Sequence, residues 1–148
     1  MTVAYRGLQP LGLADQIRLG TEILSAYARV RWLLRGRDAV VVVARLRAPA
    51  RRSSPSGGAA GAAPPAEALL VGGRLAHAVT RVLRPLPTDV RCLSQSLTLL
   101  TVMERRDLHP ALVIAVRPRP FSAHAWIELA GQPLLAPADP DHERLTEL

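Results

Sequence analysis

Two residues of this chain, Cys92 and His124, are of the types and in the order that nucleophilic catalysis uses. The lone cysteine opens an apolar-periodic stretch, Cys92-Leu93-Ser94-Gln95-Ser96-Leu97-Thr98-Leu99-Leu100. His124 follows thirty-two positions later, within Ser122-Ala123-His124-Ala125-Trp126-Ile127-Glu128, which alternates as a strand does. Free N–H groups and partial positive charge at a helix start favour a thiolate. An imidazole within reach takes the thiol proton and later returns it to a leaving amine. The backbone N–H of Cys92 is itself the candidate oxyanion donor. Taken alone, a free cysteine is more often a small buried apolar residue. The His-x-Trp string and its place after the cysteine favour chemistry instead.

The other chemistry-bearing residues are scattered. One cysteine forms no intramolecular disulfide and is too few for a cysteine-rich zinc site. His77, His109, His124 and His142 show no metal-ligand spacing. No metal is expected, and a thiol enzyme of this kind needs no cofactor. Trp126 shares the strand face of His124, where an aromatic would keep water from the site. Glu128 lies two positions further on and reads as a solvated strand end, with a supporting role at the site as the alternative. Ser94, Gln95 and Ser96 read as polar residues at a helix start. His77 and His109 read as surface or boundary residues.

The residues that flank these define the compartment and the surface. Met1–Pro10 lacks the apolar segment of a signal peptide. The longest apolar runs, Ala39–Ala44 and Ala111–Val116, are too short to span a bilayer. A cytoplasmic location is expected, and a reducing compartment suits a working thiol. Residues 1–52 hold ten Arg and three acids, whereas residues 53–148 hold nine of each. The net charge of +7 therefore belongs to the N-terminal third. It suits a docking face for a partner protein or peripheral contact with an anionic membrane surface. The alternative is that these arginines only solvate an outer helix face. No nucleic-acid motif accompanies them, and Tyr27 and Trp32 fit a helix core better than a stacking platform, so nucleic acid is not expected.

The elements that must position the pair follow from periodicity. Leu13–Leu34 has apolar residues at helical spacing and predicts an amphipathic helix. Asp38 can cap a second short helix, Ala39–Arg47, although its four consecutive valines have strand propensity. Residues 48–65, rich in Pro, Gly, Ser and Ala, read as a loop or linker. A third helix spans about Ala66 to Arg84, and the Cys92 helix ends near Arg106. Ala111–Val116 predicts a buried strand, interrupted by Arg117-Pro118-Arg119-Pro120. Phe121–Leu129 is the strand of His124, and Gln132–Ala136 returns beside it after a turn at Gly131. Asp139–Leu148 reads as a polar tail with a final helical turn. This division gives an Arg-rich helical region at 1–47, a linker at 48–65 and a catalytic core at 66–148. The fold class is α+β, with N-terminal helices packed on a small antiparallel sheet.

The strings Cys92-Leu-Ser-Gln-Ser-Leu-Thr-Leu, Leu112-Val-Ile-Ala-Val-Arg-Pro and Ser122-Ala-His-Ala-Trp-Ile-Glu-Leu resemble the leader peptidases of lasso-peptide biosynthesis. The resemblance covers about residues 65–136. It implies a papain- or transglutaminase-like cysteine protease core with a Cys-His-Asp triad. It implies removal of the leader from a ribosomally made precursor peptide. The first 65 residues lack the run of strands that a fused leader-binding domain would need. A free-standing protease form is therefore expected, acting with a separate leader-binding protein, and the macrolactam-forming cyclase is a further candidate partner.

The resemblance leaves the acid of the triad unsettled. The family's acid lies on the strand after the histidine, where this chain has Ala136. A three-residue loop, Leu129-Ala130-Gly131, would set His124 opposite Ala136, and the family pattern supports that register. A two-residue Gly131-Gln132 loop would set it opposite Asp139. Asp139, with Asp141 as its substitute, is the candidate acid, and a Cys-His dyad is the other possibility. Two further readings keep the fold: an inactive interaction protein, and an acyl transferase that passes the same thioester to an amine.

Overall fold

The computed structural model describes residues 12–51, 66–86, 91–135 and 143–147. Four helices, α1 (Leu13–Leu34), α2 (Ala39–Arg51), α3 (Ala66–Leu83) and α4 (Arg91–Glu104), precede four strands, β1 (Ala111–Pro118), β2 (Phe121–Leu129), β3 (Gln132–Pro133) and β4 (Glu143–Glu147). The strands form one antiparallel sheet in the order β3-β2-β1-β4. The fold is α+β.

Helix α4 is the centre of the molecule. Helices α1, α2 and α3 all pack on it, and it packs in turn on β2 and β1. Leu97, Leu99, Leu100, Val102 and Met103 are fully buried, so apolar residues surround this helix on all sides. The main core joins them to Ile23, Ala26, Val30 and Leu33 of α1, Val42, Val43 and Leu46 of α2, Leu75, Val79 and Leu83 of α3, and the helix-facing Leu112, Ala125, Ile127 and Leu129 of the sheet. A smaller cluster, Val113, Ala115 and Trp126, lies on the other face of the sheet. Strand alternation accounts for the two clusters, since successive side chains point to opposite faces.

Several elements differ from their sequence expectations. Helix α2 runs through Arg51, four residues into the stretch read as linker. Arg47, the last residue of the expected helix, donates from Nε to Glu104 at 3.1 Å and from Nη2 to the Pro110 carbonyl at 2.5 Å. The remainder of the linker, 52–65, lies outside the described residues. The valines of α2 follow helical rather than strand periodicity, with Val42, Val43 and Leu46 buried and Val40 and Val41 exposed. Trp32 is not a core aromatic: it is 66% exposed, with the Arg37 guanidinium 6.0 Å from its ring centroid. Strand β1 continues through Arg117 and Pro118, which pair with Ser122 and Phe121, so only Arg119 and Pro120 form the turn. The C-terminal segment is not a helical turn. Glu143–Glu147 adds as β4 to the free side of β1, with a bulge between Ile114 and Ala115.

The hairpin after β2 takes neither expected register. Its loop is Ala130-Gly131, with Leu129 opposite Gln132 and Glu128 opposite Pro133. Both loop residues have positive φ, 50° and 74°, which is the two-residue turn whose twist matches antiparallel strands. The regular ladder of β3 stops at Pro133, short of the expected Ala136.

Candidate active site

Cys92 is half-buried and is the second residue of α4. It lies in the first helical turn, where backbone N–H groups have no intrahelical acceptor. One turn further on, on the same side of the helix, Ser96 is fully buried and its Oγ donates to the carbonyl oxygen of Ala125 at 3.0 Å. Ala125 is the chain neighbour of His124.

The side of β2 that Ser96 meets follows from the ladder. Leu134 N–H donates to the Ile127 carbonyl at 2.9 Å, so the polar groups of Ile127 point towards β3. In an antiparallel strand, residues two apart direct these groups to the same side. The Ala125 carbonyl therefore also points away from β1. The described pairing of β2 with β3 is confined to Glu128 and Leu129, and at Ala125 it is Ser96 that supplies the hydrogen bond. The N-terminal half of α4 thus meets β2 along its outer margin.

The two elements also run in the same direction. Met103 Cε and Leu129 Cδ2 converge on the spot that a Gly72 Cβ would occupy, at 3.3 and 3.5 Å. Ser96 lies at Ala125 and Met103 near Leu129, so both chains advance together. Going back from Ser96 to Cys92 is about 6 Å along a helix axis, or about two strand residues. By that ideal spacing Cys92 falls near the level of Ala123 along the strand axis.

His124 is half-buried on β2, paired with Ala115 of β1. Its ring stacks on that of Trp126, with centroids 5.9 Å apart and planes inclined by 25°. Trp126 is buried in the smaller cluster, so the imidazole is rooted on the sheet face turned away from the helices. The expected sharing of a face by His124, Trp126 and Glu128 is what the strand displays. Glu128, however, is not solvated. It is 9% exposed, and its Oε1 accepts from Trp126 Nε1 at 2.8 Å and from Arg144 Nη2 at 2.5 Å.

The remaining candidates divide between the described and undescribed residues. Asp139, Asp141 and Ala136 lie outside the described residues. Ser94 and Ser96 are buried, and Gln95 Nε2 donates to Thr80 Oγ1 of α3 at 2.7 Å. His109 faces Glu104 at 3.2 Å, beside Arg47. Arg144 was not a sequence candidate, since its strand has no apolar alternation to mark it. The spacing of Ser96 four residues after Cys92 was a usable signal, because it puts a hydroxyl on the cysteine's own helix face. Among the described residues, no group of three or more metal-ligating side chains gathers, and no helix is long and apolar enough to cross a membrane.

Comparison with known proteins agrees with this architecture. The family profile described as the transglutaminase-like superfamily matches residues 24–148. The microcin J25-processing protein McjB of Escherichia coli is 42% identical over 41 residues, which is 28% of this chain and 20% of that protein. The match thus spans about a fifth of that relative's length. No solved structure matches the chain.

Proposed function

The chain belongs to the transglutaminase-like superfamily, and from that premise we propose that it is a cysteine peptidase that cuts the leader from a ribosomally made lasso-peptide precursor. The observation that carries this reading is the placement of Cys92. The cysteine stands in the first turn of α4, and Ser96, one turn further on, bonds to the carbonyl of Ala125, the chain neighbour of His124. The similarity to a microcin-processing protein supports a peptide substrate.

On this reading the pair meets at the β2 margin. His124 takes the thiol proton, and the Cys92 thiolate attacks the carbonyl of the amide joining leader to core. The N–H of Cys92 and its neighbours in the first turn hold the tetrahedral oxyanion. As the C–N bond breaks, His124 gives its proton to the departing amine, and the core leaves with a free N-terminus. The leader remains as a thioester on Cys92. Water, deprotonated by His124, then attacks that thioester and releases the leader as a carboxylic acid, with the proton returning to the thiol. Asp139, with Asp141 as substitute, has the role of orienting the imidazole. Trp126 keeps water from the ring. A separate leader-binding protein raises the effective concentration of the precursor at the site.

Cleavage of a precursor by the full chain, with the leader-binding protein present, tests the reading. Cys92→Ala is expected to lower the rate by at least about a thousandfold. A Cys92→Ala protein that cuts as fast as the parent overturns it. Rapid alkylation of Cys92 near neutral pH separates an enzyme from an inactive scaffold, whose thiol would be inert. The superfamily also supports acyl transfer, in which an amine rather than water takes the thioester. Product masses with and without added amine distinguish the two.

A further inference from the structure

We propose that Glu128 and Arg144 are positioning residues for His124, acting through Trp126. The inference rests on the peptidase reading and adds to it a device on the far face of the sheet. There, one carboxylate oxygen of Glu128 accepts two hydrogen bonds, from the indole N–H of Trp126 and from Arg144. The Arg144 guanidinium also lies 5.8 Å from the indole centroid, within cation–π range. The indole is thus held at its edge by the carboxylate and over its face by the guanidinium, and the imidazole of His124 stacks on the same ring system.

The strand register sets Arg144 level with His124, and its side chain runs along the sheet to Glu128. Ala115 of β1 pairs with His124 on one side and with Arg144 on the other. A carboxylate as buried as that of Glu128 must be paired, because an unpartnered charge there is costly. The pairing is therefore part of the fold. Its consequence for chemistry is that the plane on which the imidazole stacks has little freedom to turn. A histidine that shuttles protons needs such a fixed orientation, and loss of orientation lowers turnover more than binding. The C-terminal strand β4 supplies Arg144, so docking of β4 becomes a condition for a correctly set imidazole.

The test measures leader cleavage by the full chain with its leader-binding protein, for Glu128→Ala, Glu128→Gln and Trp126→Phe. The readouts are kcat and KM separately, and the rate of Cys92 alkylation by iodoacetamide across pH. Glu128→Ala is expected to lower kcat about tenfold to a hundredfold with KM held, and to move the pH midpoint of alkylation. Glu128→Gln keeps an oxygen that accepts from the indole and should recover most of kcat. Trp126→Phe keeps a ring without the donor and should behave like Glu128→Ala. A folded Glu128→Ala protein with the parent's kcat overturns the proposal. Equal losses in Glu128→Gln and Glu128→Ala also overturn it, since the indole bond then explains nothing. If Glu128→Ala does not fold, Trp126→Phe decides, and parent kcat there overturns the proposal. His124→Ala separates the inference from its premise. Parent activity in His124→Ala defeats the peptidase reading itself, whereas an inactive His124→Ala beside a normal Glu128→Ala defeats only the positioning role.

Discussion

Ser96 Oγ donates to the carbonyl oxygen of Ala125 at 3.0 Å, and this bond ties the cysteine-bearing helix to the neighbour of His124. Ser96 is fully buried. Its hydroxyl occupies the position that an adjacent strand would take on the outer side of β2. Ser96→Ala removes the donor and leaves a strand carbonyl unpaired. The expected loss is about 1–3 kcal/mol of stability, read from denaturant unfolding. Because the bond also sets the level of Cys92 against β2, cleavage at a temperature well below unfolding should fall as well. Unchanged stability and unchanged cleavage in Ser96→Ala would contradict this account.

The two adjacent glycines of α3 give a paired test of packing. Gly73 has nothing within 4 Å of where a Cβ would stand, so Gly73→Ala should stabilise the helix by about 0.5–1 kcal/mol. At Gly72 the same methyl would lie 2.9 Å from Leu134 Cδ1 and 3.3 Å from Met103 Cε. Leu134 must move to admit it, which offsets the gain in helix propensity. Thermal unfolding of the two variants should rank Gly73→Ala clearly above Gly72→Ala. The reverse order would mean that α3 does not sit against α4 and β2 as described.

Glu22 links α1 to the end of α4 and makes stability depend on pH. Arg106 donates to both of its carboxylate oxygens, at 2.9 and 2.8 Å. That hydrogen bonding holds the Glu22 carboxyl below its ordinary pKa, with the charges of Arg106 and Arg105 adding to the effect and burial opposing it. The folded protein therefore binds this proton less readily than the unfolded chain. The contribution is present above the unfolded pKa and is lost as pH falls through the lowered folded value. Arg106→Met should destabilise the protein at neutral pH. The gap from the parent should shrink as urea midpoints are followed down to about pH 3. A gap that stays constant over that range would remove Glu22 from the explanation.

Much of this architecture was legible because it is local. The apolar spacing of Leu13–Leu34 gives α1 with both ends correct, and the alternation of Phe121–Leu129 gives β2 and its shared His124, Trp126 and Glu128 face. What escaped the sequence depends on partners distant along the chain. Strand β4 pairs with β1 across more than twenty residues, and its Glu-Arg-Leu-Thr-Glu pattern carries no apolar face to announce it. The burial of Glu128 follows from Arg144 on that same strand. The hairpin register turned on Ala130 adopting positive φ, which an alanine seldom does and which sequence rules reserve for Gly, Asn or Asp. The burial of Ser94 and Ser96 reflects the central position of α4. A helix enclosed on all sides must satisfy its hydroxyls internally, as Thr98 does with the Ser94 carbonyl at 2.7 Å and Thr101 with the Leu97 carbonyl at 2.8 Å.

The last prediction concerns the arginine-rich face of α1. Ile23, Ala26, Val30 and Leu33 bury one side of this helix in the main core, so α1 is cover for α4. Arg29, Arg31 and Arg35 are exposed, and with Arg37 beside the exposed Trp32 they give this part of the molecule a basic, partly apolar surface. On the proposed reading this surface docks the leader-binding protein while the opposite side of the helix serves the core. Contact through exposed arginines is screened by salt, with a screening length of about 8 Å at physiological ionic strength. Partner-dependent cleavage should therefore weaken as salt is raised, while partner-independent alkylation of Cys92 should not. Reversing Arg29, Arg31 and Arg35 to Glu leaves every buried residue of α1 in place. The triple variant should unfold at about the parent's denaturant midpoint, since exposed substitutions away from the core cost little. It should also lose partner-dependent cleavage and keep thiol reactivity. Normal cleavage with the partner present would show that this face does not dock it. Unfolding of the variant would show that the arginines serve the packing of α1 and not an interface.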